Sequence, residues 1–218
     1  LPLSRDLGTM SEEAAPIIAD LPELIDLVGA MAREPYVAID TEFLREVQDG
    51  ELTLDEISPF FFAEPLAPLV AARRGHCSIC LQDVFRRIKR IASRCQCLLI
   101  EGIGGLLVPL GEGFTVRDLI ARLGCEVIVV SRSRLGTINH TLLTVEALQR
   151  IEIQRLKAVL MSSQKGDSAT RSNGLILAEL LAPAPVLRVA FLGRKPLRLE
   201  ALKKSGKRIK KTLARILV

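Results

Sequence analysis

The sequence predicts an α/β protein built as a three-layer, doubly wound parallel sheet. Three observations carry that prediction. After residue 50, short apolar runs alternate with amphipathic stretches of helical length. The apolar runs are continuous rather than polar at every second residue, the pattern of strands covered on both faces. Each connection is long enough for the crossover that parallel strands require. At 218 residues, 49% of them hydrophobic, the chain suits one sizeable domain with a substantial core. We divide it into an N-terminal segment over 1–50, a main α/β domain over 51–193 and a basic amphipathic helix over 194–218.

In the first segment, Ser11 to Ala32 reads as a helix. Ser11 caps it, Glu12 and Glu13 suit its first turn, and Leu21, Leu24, Ile25 and Val28 share a face despite Pro16 and Pro22. Tyr36 to Thr41 reads as a strand. In the main domain, helices are expected over Leu66 to Arg74, Leu81 to Ser93, Thr115 to Leu123, Thr137 to Arg150 and Ala169 to Leu181. The clearest is Leu81 to Ser93, where Leu81, Val84, Phe85, Ile88 and Ile91 form one stripe beside Arg86, Arg87, Lys89 and Arg90. Strands are expected over Cys97 to Glu101, Glu126 to Ser131, Leu156 to Ser162 and Val186 to Phe191. The last segment carries ten basic residues, from Arg194 to Arg215, against the single acid Glu200. Its leucines and isoleucines partly follow helical spacing. It reads as a basic helix with a solvated end or, alternatively, as a docking patch for phosphate-rich partners.

Composition excludes several classes. No stretch combines about 20 apolar residues with freedom from charges and breakers, so no membrane helix is expected. Aromatics make up 4% of the chain, with no Trp and one Tyr, which argues against nucleic-acid modules that stack bases on exposed rings. The first residues lack a basic and then apolar secretory build, and the five cysteines show no disulfide framework. A soluble, cytoplasmic protein is the expectation. Cys77 and Cys80 have the spacing of a zinc or redox pair without a second pair to complete it, while Cys95 and Cys97 read as packing residues.

The chemistry-bearing stretch is Leu98-Leu-Ile-Glu-Gly-Ile-Gly-Gly-Leu-Leu-Val-Pro109. An apolar strand ending in Glu101 presents one carboxylate at the rim of a sheet, where ligands of this fold class bind. Desolvating that carboxylate is costly unless a cation pairs with it, which points to Mg²⁺ shared with phosphate oxygens. Gly102, Gly104 and Gly105 let the backbone turn and approach a ligand closely. The local pattern also fits a plain glycine turn with a solvated Glu101. A second signature follows at Leu135-Gly-Thr-Ile-Asn-His140, where a helix start offers unpaired N–H donors to an anion.

Taken in order, Ile57-Ser-Pro-Phe-Phe-Phe-Ala-Glu-Pro-Leu-Ala-Pro68, Ile100-Glu-Gly-Ile-Gly-Gly-Leu-Leu-Val-Pro109 and Leu135-Gly-Thr-Ile-Asn-His-Thr-Leu-Leu-Thr144 resemble dethiobiotin synthase over roughly residues 55 to 192. The glutamate-glycine turn alone is shared with cobyric acid synthase-type ligases and ParA-like ATPases; the Leu135 to His140 segment favours dethiobiotin synthase. The resemblance implies a P-loop NTPase-like fold and an ATP-dependent cyclo-ligase of biotin biosynthesis. Its substrates would be 7,8-diaminononanoate, CO₂ and ATP, joined through a carbamate and its mixed phosphoric anhydride, with Mg²⁺ stabilising the transferring phosphoryl group. By similarity, Glu101 would ligate Mg²⁺ and Gly102, Gly104 and Gly105 would lie beside the nucleotide. Leu135, Gly136, Thr137, Ile138 and Asn139 would bind the substrate, with backbone N–H groups from Gly136 to Asn139 on its carboxylate across a homodimer interface.

The sequence departs from that family pattern in specific places. It contains no GxxxxGK[ST] phosphate loop, and its one Gly-Lys pair, Gly206-Lys207, is followed by Arg208. Ser162-Ser163 stands where the family has a base-binding Asn, and Phe191 replaces a proline. The aspartate that usually shares Mg²⁺ and a further substrate-region lysine have no match. The first residues instead resemble the start of a ribonuclease D type exonuclease, in Leu21-Pro-Glu-Leu-Ile and Glu34 to Glu46, where Asp40 and Glu42 share a strand face suited to a divalent ion. The family's further acidic motifs are missing. Alternatives to the ligase are therefore a non-catalytic dimerisation scaffold, a fused gene remnant and, behind both, the exonuclease. His140 reads as an orienting or core residue rather than a base, and Asp167 and Arg171 as either base contacts or a solvated turn.

Overall fold

A computed structural model describes residues 52–62, 66–94, 97–153, 155–162, 168–192 and 199–217. The expected N-terminal helix and strand, with Asp40 and Glu42, lie outside the described residues. Along the chain the elements are α1 (Leu54–Ile57), α2 (Pro68–Arg74), α3 (Leu81–Ala92), β1 (Pro109–Gly111), β2 (Phe114–Thr115), α4 (Val116–Leu123), β3 (Val127–Arg132), α5 (Thr137–Gln149), β4 (Leu156–Met161), α6 (Ser168–Leu180), β5 (Val186–Val189) and α7 (Leu199–Leu217).

The main sheet has the order β3-β4-β5 and is parallel throughout. Val127 to Arg132 pair in register with Leu156 to Met161, and Ala158 to Met161 with Val186 to Val189. Every residue of β4 is buried, as its unbroken apolar sequence requires of a strand with a neighbour on each side and a layer on each face. Alternate residues sort to opposite faces. Val127, Val129, Ala158 and Leu160 pack with Val145 and Leu148 of α5 and Leu177 of α6. On the other face Val159, Met161, Leu187 and Val189 pack with Ile209, Leu213 and Ile216 of α7. This is the three-layer arrangement that the alternating pattern predicts.

Three findings differ from the sequence expectations. The basic C-terminal helix is not a solvated appendage: Ile209, Leu213 and Ile216 are buried in the core, while Lys207, Lys210, Lys211 and Arg215 face outward. Its far end is tied down by Lys157, whose Nζ lies 2.9 Å from the Ile216 carbonyl and 2.7 Å from Glu126 Oε1. The segment 97–101 forms no strand, and Leu99 and Ile100 are 42% and 41% exposed. An apolar run becomes a strand only where a neighbour completes its ladder, and among the described residues none pairs with it. Finally, β1 and β2 form a short antiparallel hairpin, with Gly113 at a φ of 75° in its turn, that the alternating pattern did not show.

The hairpin leads into α4 through Thr115, which caps that helix in a reciprocal box with Asp118. The Thr115 N–H donates to Asp118 Oδ2 at 2.8 Å, and Gly124, with a φ of 60°, ends the helix in the left-handed conformation. A third cluster joins Ala72, Ile79, Leu110, Phe114, Val116 and Leu119, with Leu81, Val84 and Ile88 of α3 laid against it.

Candidate functional site

Glu101 opens a turn fixed to the start of α4. The Arg117 N–H donates to the Leu106 carbonyl at 2.9 Å, and the Val116 N–H to that of Val108 at 3.2 Å. Gly104 and Gly105 have φ values of 70° and 134°, which side chains with a Cβ rarely adopt. A Cβ on Gly102 would come 3.1 Å from Val116 Cγ1, so a larger residue there would require the valine to shift by a few tenths of an ångström. Beyond the turn, Leu106 packs against the same core cluster as Ile138 and Leu142 of α5. The glycine turn and the start of α5 thus flank one core.

Within this turn Glu101 Oε2 is buried and has no hydrogen-bond partner among the described residues. Burial alone pushes its carboxyl pKa up to about 7. A solvated carboxylate at a plain turn would show neither property. An orphaned anionic oxygen is what a bound cation compensates, and hard oxygen donors suit Mg²⁺, which is commonly held by one or two carboxylates together with phosphates. The residues present therefore fit the ion. Among the described residues no cluster of three or more acidic, histidine or cysteine side chains exists, and Cys77 and Cys80 are exposed and free.

The second predicted element begins at Leu135, which is 84% exposed. Gly136 precedes α5 with a φ of 90°, a left-handed turn that favours glycine. No side chain caps the helix start. The Thr137 N–H donates to the Arg134 carbonyl at 3.2 Å, and the buried Thr137 hydroxyl donates to the Arg132 carbonyl. Ile138 and Asn139 lie one turn too early for carbonyl partners within the helix, which leaves their first-turn N–H groups unused by it; Asn139 is exposed and Ile138 half-buried. His140 is exposed, which removes a core role, and its N–H donates to the Gly136 carbonyl. Arg171 is exposed as well, and Asp167 lies outside the described residues.

Two side chains that the sequence reading overlooked hold this loop. Thr170 Oγ1 donates to the Ser133 carbonyl at 3.1 Å, and Asn173 Nδ2 donates to the Arg134 carbonyl at 3.0 Å. Both are buried, and both come from α6, across 37 and 39 residues of chain. The signal was present in the sequence: Thr170, Asn173, Gly174 and Leu177 fall on one helical face, so two polar groups share the stripe that enters the core.

Comparison with known proteins matches this architecture. A family model described as an AAA domain covers residues 30–207. The chain is 39% identical over 142 residues to the ATP-dependent dethiobiotin synthetase BioD of Bacillus licheniformis, covering 64% of this chain and 60% of that protein. It is 48% identical over 122 residues to the protein of that name from Anaeromyxobacter dehalogenans strain 2CP-C, covering 56% and 53%. With the one from Anaeromyxobacter sp. strain Fw109-5 it shares 38% over 159 residues, covering 72% and 71%. The chain thus spans between about half and seven tenths of the length of these relatives. By the breadth of the family match and the extent of these similarities, the chain belongs to the AAA domain family and is a dethiobiotin synthetase-like member of it.

Proposed function

We propose that this chain serves dethiobiotin formation as an ATP-dependent cyclo-ligase acting on 7,8-diaminononanoate and CO₂. The observation that carries the reading is the unpartnered, buried Glu101 oxygen at the head of a glycine turn, in a chain whose relatives are named for this activity. Glu101 would hold Mg²⁺, with Gly102, Gly104 and Gly105 leaving room for the nucleotide beside it. When bound, the ion offsets the charge that develops on a transferring phosphoryl group. Gly136, Ile138 and Asn139 would direct backbone N–H groups at the carboxylate of the diamine, and Leu135 and Thr137 would shape the same loop. Neither the diamine nor CO₂ requires a side-chain nucleophile from the protein: an amine of the substrate attacks CO₂, and ATP activates the resulting carbamate for ring closure. The chain's part is to orient these groups and keep water from the activated anhydride.

We further propose a cytoplasmic homodimer, in which a second copy covers the exposed Leu135 and the open helix start. In domain terms we propose 1–50 as a separate N-terminal segment and read 51–193 and 194–218 as one packed unit, because Ile209, Leu213 and Ile216 of α7 share a core with β4 and β5.

One observation favours a second reading, a non-catalytic scaffold that retains the carboxylate half of the site. The sequence has no GxxxxGK[ST], and its one Gly-Lys pair lies inside helix α7, with Gly206 buried, rather than in a phosphate-binding loop. Losing such a loop removes charge stabilisation worth factors of about 10² or more. The two readings separate in one assay: purified chain with Mg²⁺, ATP, bicarbonate and 7,8-diaminononanoate, followed by mass spectrometry. Time-dependent dethiobiotin with matching ADP supports the ligase; diamine binding without product supports the scaffold; absence of both refutes the assignment.

A further inference from the structure

We infer that Thr170 and Asn173 are positioning residues for the carboxylate-binding loop, an inference that rests on the substrate reading just proposed. Three successive carbonyls of that loop, from Arg132, Ser133 and Arg134, each accept a hydrogen bond from a buried side chain. The first bond is local, from Thr137, but the other two come from α6, whose opposite ends are set by β4 and β5. Loop and sheet are joined again where the Ser133 N–H donates to the Met161 carbonyl at 2.9 Å.

The consequence follows from peptide geometry. In a trans peptide the carbonyl and the next N–H point in opposite directions. By holding the Arg134 carbonyl toward the core, Asn173 turns the Leu135 N–H outward, next to the open first-turn donors of α5. Thr170 fixes the preceding peptide, so the left-handed Gly136 turn begins from a set orientation. The Arg134 N–H is used internally, on Thr137 Oγ1 at 3.3 Å, so the outward donor set begins at Leu135. Ser133 Oγ adds a further sign of constraint: the residue is 2% exposed, and its hydroxyl has no partner among the described residues, so the loop is held by its backbone and not by that side chain. A helix start floating free of α6 would have to pay ordering entropy each time it met an anion.

The test compares two probes on the full chain by calorimetry: 7,8-diaminononanoate, and 2,3-diaminooctane, which is the same diamine without its carboxylate. Wild type is expected to prefer the acid. Thr170→Val and Asn173→Ala are each expected to weaken acid binding roughly five- to tenfold, leaving 2,3-diaminooctane binding unchanged. Thr170→Ser, which keeps the donor, restores the preference. Asn173→Leu keeps the γ-branched shape and removes the N–H₂ donor without adding charge, so it reads the same effect should the alanine variant fail to fold. Folded variants that keep the full acid preference overturn the positioning role alone. Wild type that fails to bind the acid overturns the substrate reading, and the positioning role with it. A merely structural contribution would lower the unfolding midpoint and weaken both probes equally, and that result also overturns the inference.

Discussion

Glu101→Gln replaces a carboxylate by a neutral amide of nearly the same shape, which isolates the cost of its charge. Burial raises the carboxyl from an ordinary 4.5 to about 7 in the folded chain. Because the folded value lies above the unfolded one, the protonated form suits the fold. The stability associated with it is complete below pH 4.5, declines as the pH rises toward 7 and levels off above. Each pKa unit corresponds to about 1.4 kcal/mol, so a fully shielded group would lose about 3.5 kcal/mol across that window. Glu101 retains partial exposure, and solvent screening lowers the expected loss to roughly 1–2 kcal/mol. Urea unfolding of wild type and Glu101→Gln between pH 4.5 and 8, without divalent ions, measures it directly. The two should coincide near pH 4.5, with the variant gaining progressively to about pH 7.5. Adding Mg²⁺ and ATP at pH 8 should stabilise wild type and not the variant. A stability difference independent of pH would refute the argument that an unpaired, desolvated charge sits in this turn.

Lys157→Met removes a buried donor from both Glu126 and the Ile216 carbonyl, and should cost about 2–3 kcal/mol in urea unfolding, because both acceptors lose a charged partner. Thr115→Ala deletes the capping box of α4 and should lower stability by about 1 kcal/mol, while Thr115→Ser recovers most of it. Gly136→Ala forces a Cβ onto a φ of 90° and should cost about 1 kcal/mol or more in thermal unfolding, together with weaker 7,8-diaminononanoate binding.

The main sheet was legible because its signals are local and agree. Unbroken apolar runs marked β3, β4 and β5 within two residues of their observed ends, and a helical stripe marked α3. Gly102, Gly104 and Gly105 announced a turn, and Gly104 and Gly105 take positive φ there; the left-handed Gly136 before α5 was not anticipated as such. The segment 97–101 misled because its apolar content speaks only to burial, whereas a strand also needs a ladder partner, which no local pattern encodes. The C-terminal helix misled in the opposite sense. Its charges dominate the composition, yet Ile209, Leu213 and Ile216 return at helical spacing, and that stripe decides the packing. At the candidate site, Glu101 and Gly136 were readable as motif residues. Thr170 and Asn173 were not, because the carbonyls they hold lie nearly forty residues earlier and only the folded chain brings them together.

The most direct measurement of the central claim is a ¹H–¹⁵N spectrum of the chain titrated with 7,8-diaminononanoate. Saturable shifts concentrated on the amides of Leu135, Gly136, Ile138 and Asn139, and absent with 2,3-diaminooctane, are the predicted result. Unchanged amides at this loop with millimolar diamine acid, or equal shifts with both compounds, would contradict the assignment of this helix start as the site that reads the substrate's carboxylate.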